Sequence, residues 1–174
     1  EDLKLVCDGY IEDLRRNNKP CSIGPHLELS EDKNDDLNYG IEAVRGISIE
    51  KKLIDTKADM SGVSLKPYYL LKPEEFAFVS VTSRNGGRIS LAINDTQETY
   101  ICSSSYIVFR CKDKKELLPQ YLMLFLSRDE FDRYARFNSW GSAREVFTFE
   151  DMKEVKIPIP DIEIQKSIVN IYNC

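Results

Sequence analysis

The sequence predicts an α+β domain, a mixed and mainly antiparallel twisted sheet with hairpins, packed by helices and ending in the start of a long helix. Three observations predict it. Short β-prone runs broken by turn residues fill residues 39–109. The apolar period then becomes helical over residues 117–138. After Pro160 the chain places Ile164, Ile168 and Ile171 or Tyr172 at helical intervals. At 174 residues and 42% hydrophobic content there is material for one ordinary core. The unbroken apolar stretches, such as residues 68–71 and 122–126, are far shorter than the roughly 20 residues that cross a bilayer. Glu1-Asp2-Leu3-Lys4 has neither an initiator Met nor a basic and apolar leader, so it reads as an internal or processed start of a cytoplasmic protein without a membrane partner.

In order along the chain, residues 29–38 are polar and acidic and read as a solvated loop. Residues 39–44 begin a strand-like pattern that continues through residues 46–49 after a bulge or turn at Gly46. Residues 57–64 are loop. Residues 68–71 form a strand that runs into a turn at Pro73, whose ring fixes φ and removes a donor. Residues 76–82 and 88–93 are two β-prone runs joined by Ser83-Arg84-Asn85-Gly86-Gly87, and Asn-Gly-Gly supplies the positive φ of a tight hairpin. Strand-like residues 100–102 and 106–109 flank a serine run. Pro119 suits a first helical turn, with Tyr121, Leu122, Phe125 and Leu126 on one face. Ser127-x-x-Glu130 has the spacing of a capping box and predicts a second helix after a bend. Residues 155–160 form an edge strand, because their prolines cannot donate on both sides. Asp161 can cap the last helix, which over so short a length is either an ordinary surface helix or the first turns of a coiled coil.

Chemistry is sparse. Five cysteines without a C-x-x-C pair, and one histidine, argue against a structural zinc site, and Cys102 and Cys111 read as small buried hydrophobes. There is no glycine-rich phosphate loop, no nucleophile elbow and no amino-methyltransferase motif, so no cofactor, metal or catalytic residue is predicted. His26, beside Pro25, reads as a surface residue rather than a general base. A net charge of -5 opposes a protein that coats nucleic acid by bulk electrostatics. The charge is uneven, however: acid gathers in residues 28–36, while Arg84, Arg88, Arg128, Arg133, Arg136 and Arg144 form basic neighbourhoods. The tip Arg84-Asn85-Gly86-Gly87-Arg88 could present bidentate donors to guanine and adenine, or be a plain exposed turn. In Trp140-Gly141-Ser142-Ala143-Arg144 small residues permit close backbone approach and Arg144 offers a donor fork; alternatively Trp140 closes the core and Arg144 pairs with an acid. Chemistry and loop placement make Lys57, Arg84, Asn85, Arg88 and Arg144 the candidate DNA contacts.

An ordered set of motifs adds to this reading. It comprises the serine-rich strand ending in Tyr106-Ile107-Val108-Phe109, the helix start Leu118-Pro119-Gln120-Tyr121-Leu122, Gly141-Ser142-Ala143-Arg144, and Ile157-Pro158-Ile159-Pro160 with Gln165 four residues after Asp161. In this order the set resembles the target recognition domain of type I restriction-modification specificity subunits, most strongly over residues 103–171. The resemblance implies a non-catalytic, sequence-specific reader of one half of a bipartite site in double-stranded DNA, spanning residues 1–160. Residues 161–174 would then begin a coiled-coil spacer or dimerisation helix. Its implied partners are DNA adenine methyltransferase subunits, a restriction motor-nuclease subunit, and a second recognition domain or a second copy joined through that helix. The alternatives are a recognition module of a type II restriction-methylation enzyme, or a protein-protein interaction module that does not bind DNA.

Overall fold

Large apolar residues alternating along two neighbouring strands build the centre of this molecule. The computed structural model describes residues 2–56, 58–82, 88–141 and 145–173, with the side chains of residues 2–5 and 7 left aside. The chain runs through helix α1 (Asp2–Asn17), strand β1 (Cys21–Ser22), a 3-10 turn at Gly24–His26, β2 (Leu27–Leu29), a second 3-10 turn at Ile41–Ala43, β3 (Arg45–Ile47), β4 (Leu53–Asp55), β5 (Tyr69–Leu71), β6 (Phe76–Val79), β7 (Leu91–Ile93), β8 (Tyr100–Cys102) and β9 (Tyr106–Cys111). Helices α2 (Pro119–Leu126), α3 (Asp129–Phe137) and α4 (Phe149–Lys153), strand β10 (Lys156–Ile157) and helix α5 (Ile162–Tyr172) complete it.

The main sheet is antiparallel, in the order β2-β9-β6-β7. Because side chains alternate across a strand, Phe76, Phe78 and Phe109 all face the helices, while Ala77 and Val108 face the other way. Phe76 stacks on Phe109 with centroids 4.8 Å apart, and Phe78 meets Phe147 edge-on at 6.2 Å. Tyr121, Leu122 and Phe125 of α2, Phe131 and Ala135 of α3, and Ile168 of α5 close this core. On the opposite face Ala77 and Val108 pack with Leu71 and Cys102 of a separate β5-β8 ribbon. Ala43, Val44, Met60 and Ile101 form a third, outer cluster, and β3 and β4 make a ribbon of their own.

The fold class is as the sequence predicts, including the 76–93 hairpin and the two helices joined by a bend. Several elements differ. Residues 100–102 and 106–109 serve different sheets: β8 pairs with β5, while β9 lies between β2 and β6. Within residues 39–44, Ile41–Ala43 form a 3-10 turn and Val44 makes a single bridge to Ile101, and only Arg45–Ile47 pairs as a strand. The acidic 29–38 segment is a loop but a tethered one. Asn34, buried, donates to the Tyr39 carbonyl (2.9 Å) and accepts from its amide (3.2 Å), and buried Ser30 donates to Glu75 (2.9 Å). Ser127 does not cap α3; its hydroxyl turns back to the Leu124 carbonyl, and the N-cap is Arg128. A capping box does form at Thr148-x-x-Asp151, where the Asp151 carboxylate accepts from the Thr148 amide (2.8 Å) and Thr148 Oγ1 accepts from the Asp151 amide (3.2 Å). The helical spacing of Ile11 and Leu14, buried against the core from α1, is a further signal the strand-centred reading passed over.

Candidate nucleic-acid interface

Four of the five candidate contacts, Lys57, Arg84, Asn85 and Arg144, lie outside the described residues, as does the hairpin tip itself. Arg88 is described. It is exposed and makes no ion pair among the described residues. Its position is fixed from within, because the amide of the next residue, Ile89, donates to Asp132 Oδ1 on α3 (3.2 Å). That carboxylate is also held by Lys51 Nζ at 2.8 Å, in a pair whose side chains are 5% and 9% exposed. Lys51 reaches in from the turn between β3 and β4 and donates to the Leu126 carbonyl at the end of α2 (2.7 Å). Burial pushes the Lys51 ammonium below its ordinary pKa, and Asp132 opposes that. One buried ion pair therefore joins the hairpin's return strand, two helices and a turn beneath Arg88.

The flanks of the two arginine-bearing segments meet. Beyond Val79 the hairpin's outgoing strand takes residues 145–147 as a neighbour, in an antiparallel bridge between Val81 and Val146. The Thr82 amide donates to the Glu145 carbonyl (3.0 Å) and the Phe147 amide to the Ser80 carbonyl (2.9 Å). Thr82 Oγ1 donates to Ser139 Oγ (3.0 Å), and Trp140 exchanges backbone hydrogen bonds with Val146 at 3.1 and 3.0 Å. Residues 81–82, 139–140 and 145–146 thus share one edge, with Gly141 next in the chain, Arg88 opening the hairpin's return strand, and residues 83–87 and 142–144 following in sequence from it. Lys57 itself lies outside the described residues, and only its flank is placed. Its neighbour Asp55 faces Arg45 at 3.3 Å, and Arg45 lies over the Tyr100 ring at 4.1 Å, at the end of the β3-β4 ribbon away from the Lys51 turn.

Trp140 does not close the core; it is 70% exposed. Of the other arginines, Arg128 is committed internally, with Glu12 at 3.0 Å on α1 and Glu130 at 3.2 Å, while Arg133 and Arg136 stand in solvent on α3. His26 Nδ1 contacts Glu116 at 3.1 Å. Burial raises the Cys102 and Cys111 thiols to about 12, which keeps both protonated near neutrality and poor as nucleophiles. Among the described residues no group of three or more His, Cys, Asp or Glu is arranged to hold a metal, and no helix is long and apolar enough to cross a membrane. What the edge offers is exposed guanidinium and aromatic surface on a rigid base, an arrangement suited to recognition.

Two of the motifs that carry the resemblance, and the Gln165 that follows them, are scaffold. Tyr121 donates through its hydroxyl to the Pro158 carbonyl (2.9 Å), tying the Leu-Pro-x-Tyr-Leu helix start to the Ile-Pro-x-Pro strand. Gln165 is fully buried; its Oε1 accepts from the Leu118 amide (2.9 Å) and its Nε2 donates to the Glu116 and Pro160 carbonyls (2.8 Å each).

Comparison with known proteins gives a consistent result. The family described as type I restriction modification DNA specificity domain matches residues 33–172. No curated protein sequence matches this chain significantly. The fold is similar to that of the HsdS subunit from Thermoanaerobacter tengcongensis, with a TM-score of 0.55 and 14% identity over 99% of this chain and 42% of that one. A type I R-M system structure that addresses complex assembly and conformational transition gives 0.55 and 14% over 99% and 43%. The S subunit of the type I restriction-modification system from M. genitalium gives 0.51 and 14% over 87% and 37%. At this identity the likeness concerns the fold, and the chain spans about two-fifths of the length of those proteins.

Proposed function

Since this chain belongs to the type I restriction modification DNA specificity domain family, we propose that it reads one half of a bipartite duplex target for adenine methyltransferase and motor-nuclease subunits that carry the chemistry. The edge shared by the two arginine-bearing segments is the reading surface. One observation supports this above others: the backbone pairing of residues 80–82 with 145–147, which roots both segments on one rigid base and leaves Arg88 exposed beside them. Arg84, Asn85, Arg88 and Arg144 contact the DNA, by base-edge hydrogen bonds or by phosphate pairing. Lys57 is a further candidate DNA contact. Residues 1–160 form the recognition domain, and residues 161–174 begin the helix that spaces it from a second recognition domain or a second copy.

The test is assembly with a cognate methyltransferase followed by methylation mapping. The expected result is adenine methylation in a bipartite motif. Arg88→Ala should weaken binding by roughly 5- to 150-fold, if Arg88 reads a base at about 1–3 kcal/mol, and relax one position of that motif. A uniform loss over all sequences, with the salt slope reduced by about one, reassigns Arg88 to a phosphate. An unchanged motif and affinity would remove Arg88 from the interface.

A further inference from the structure

Two of the largest side chains in the molecule are turned outward at the reading edge. Phe137, at the end of α3, is 80% exposed, and Trp140, three residues on, is 70% exposed. The backbone beneath them is fixed. Ser139, between the two, is buried and bonded to Thr82 of the hairpin flank, and Trp140 is locked to Val146 by a pair of backbone hydrogen bonds. A rigid platform that leaves a phenyl ring and an indole in water is a poor solution for folding alone and a good one for contact. The surrounding charge selects the partner. Arg88 and Arg136 are exposed and make no ion pair among the described residues; Arg133, 72% exposed, has only a loose 3.9 Å contact with Glu130. Glu145 is an exposed carboxylate on the same edge. The helix end itself is muted as a source of negative potential, because Asn138 Nδ2 donates to the Tyr134 carbonyl (2.8 Å) and Ser139 Oγ to the Ala135 carbonyl (2.6 Å). Aromatic faces set among guanidinium groups match a polyanion whose interior is a stack of flat rings.

We infer that Phe137 and Trp140 form an aromatic wedge that enters the base stack of duplex DNA beside the bases read by the hairpin, so that part of the specificity is a preference for an easily unstacked step. This rests on the DNA-reading function proposed above. The chemistry favours a pyrimidine-purine step, the kind most readily kinked or opened. The wedge itself reads deformability and makes no base-edge hydrogen bonds.

Trp140 is the only tryptophan in the chain, so its fluorescence reports the contact directly. The full chain is used to select binders from a randomised duplex pool at low ionic strength, and an enriched duplex is then titrated in. Trp140 emission should be quenched with the same midpoint as the anisotropy of the labelled duplex. By anisotropy, Phe137→Ala and Trp140→Ala should each bind roughly tenfold more weakly, as expected for a lost aromatic-base stack, with an unchanged slope of log affinity against log salt. Trp140→Phe should restore most of the affinity, and Arg136→Ala should reduce the salt slope by about one. Pools selected with Trp140→Ala should lose the pyrimidine-purine preference and keep the positions that depend on Arg88. Both aromatics are solvent-facing, so the variants should melt like the parent. Wild-type affinity and salt dependence in the alanine variants, with unquenched Trp140, would sink the wedge and leave DNA reading intact. Weakened assembly with the methyltransferase at unchanged DNA affinity would reassign the patch to a protein contact. Failure of the unaltered chain to enrich or bind any duplex would overturn the wedge and the reading function together.

Discussion

Lys51 shows how a single buried residue can join several elements of the domain. It occupies the left-handed region (φ 61°), costly for a residue with a Cβ. Its ammonium is buried between Asp132 and the Leu126 carbonyl, 5.3 Å from the Phe131 ring centroid. A buried pair of this kind gains little over an apolar replacement, yet removal of one member strands the other. Lys51→Met should therefore destabilise the domain by about 3–5 kcal/mol, leaving the Asp132 carboxylate unpaired. Adding Asp132→Asn, which keeps an acceptor for the Ile89 amide, should restore much of that loss. Urea midpoints of the two singles and the double measure the coupling. A double variant no more stable than Lys51→Met alone would show that the pair is not the main link. None of this was legible in the sequence, where Lys51 and Asp132 stand 81 positions apart (132 − 51) and each looks like an ordinary surface charge.

Elements were legible where local chemistry decides them. The two β-prone runs on either side of residues 83–87 pair as the hairpin reading expects, and Pro119 gave the start of α2, which rests on the backbone constraint of a single residue. Pairing across long loops was not, because apolar alternation does not say which partner a strand takes. Residues 100–102 and 106–109 therefore looked like one block while serving two sheets. The last helix shows the same limit. Its spacing singled out Ile164 and Ile168, but Ile164 is 40% exposed and the buried face pairs Ile168 with Gln165, a polar residue retained because three backbone groups need it. Capping errors are subtler. Ser127-x-x-Glu130 and Thr148-x-x-Asp151 have the same spacing, and only the second places both partners on their amides. Thr148→Ala should cost about 1 kcal/mol, the usual value of an N-cap, read from the denaturation midpoint. Ser127→Ala should cost less. Equal losses would mean that the box contributes nothing beyond an ordinary surface hydroxyl.

At the scale of the whole molecule, sheet order resolves the conflict between an acidic chain and a DNA-binding family. In β2-β9-β6-β7 the acidic segment follows β2 on one edge, while Arg88 leads into β7 on the other. Three strand spacings put roughly 14 Å between those edges, beyond the Debye length of about 8 Å at physiological ionic strength. The net charge therefore says little about the proposed reading edge around Arg88. Much of the acid near β2 is also occupied. Asp32 pairs with Lys72 at 2.6 Å, Glu28 with Arg110 at 2.7 Å, and buried Glu75 accepts from Ser30 and from the Lys72 amide. Glu74, held at φ 65°, bonds Lys114 and, at 2.7 Å, Gln120 of α2. The Lys72 hydrogen bond and charge hold Asp32 below its ordinary pKa, and the Lys114 and Gln120 bonds do the same for Glu74. The sign follows from linkage: folded values below the unfolded ones make these groups stabilising above pH about 4 to 4.5, and that stability is lost as pH falls through the lowered folded values. Thermal melting should be flat from pH 7 to 5 and decline below it. Because both carboxylates are partly exposed, solvent discounts the effect; an Asp32→Asn, Glu74→Gln variant should lose about 2–4 °C at pH 7 for a net loss near 1 kcal/mol. Its melting curve should converge on the parent's at acid pH, since protonation has by then removed the same interactions from both. Parallel curves down to pH 3 would place the acid sensitivity in other carboxylates and reduce this edge to a solvated rim.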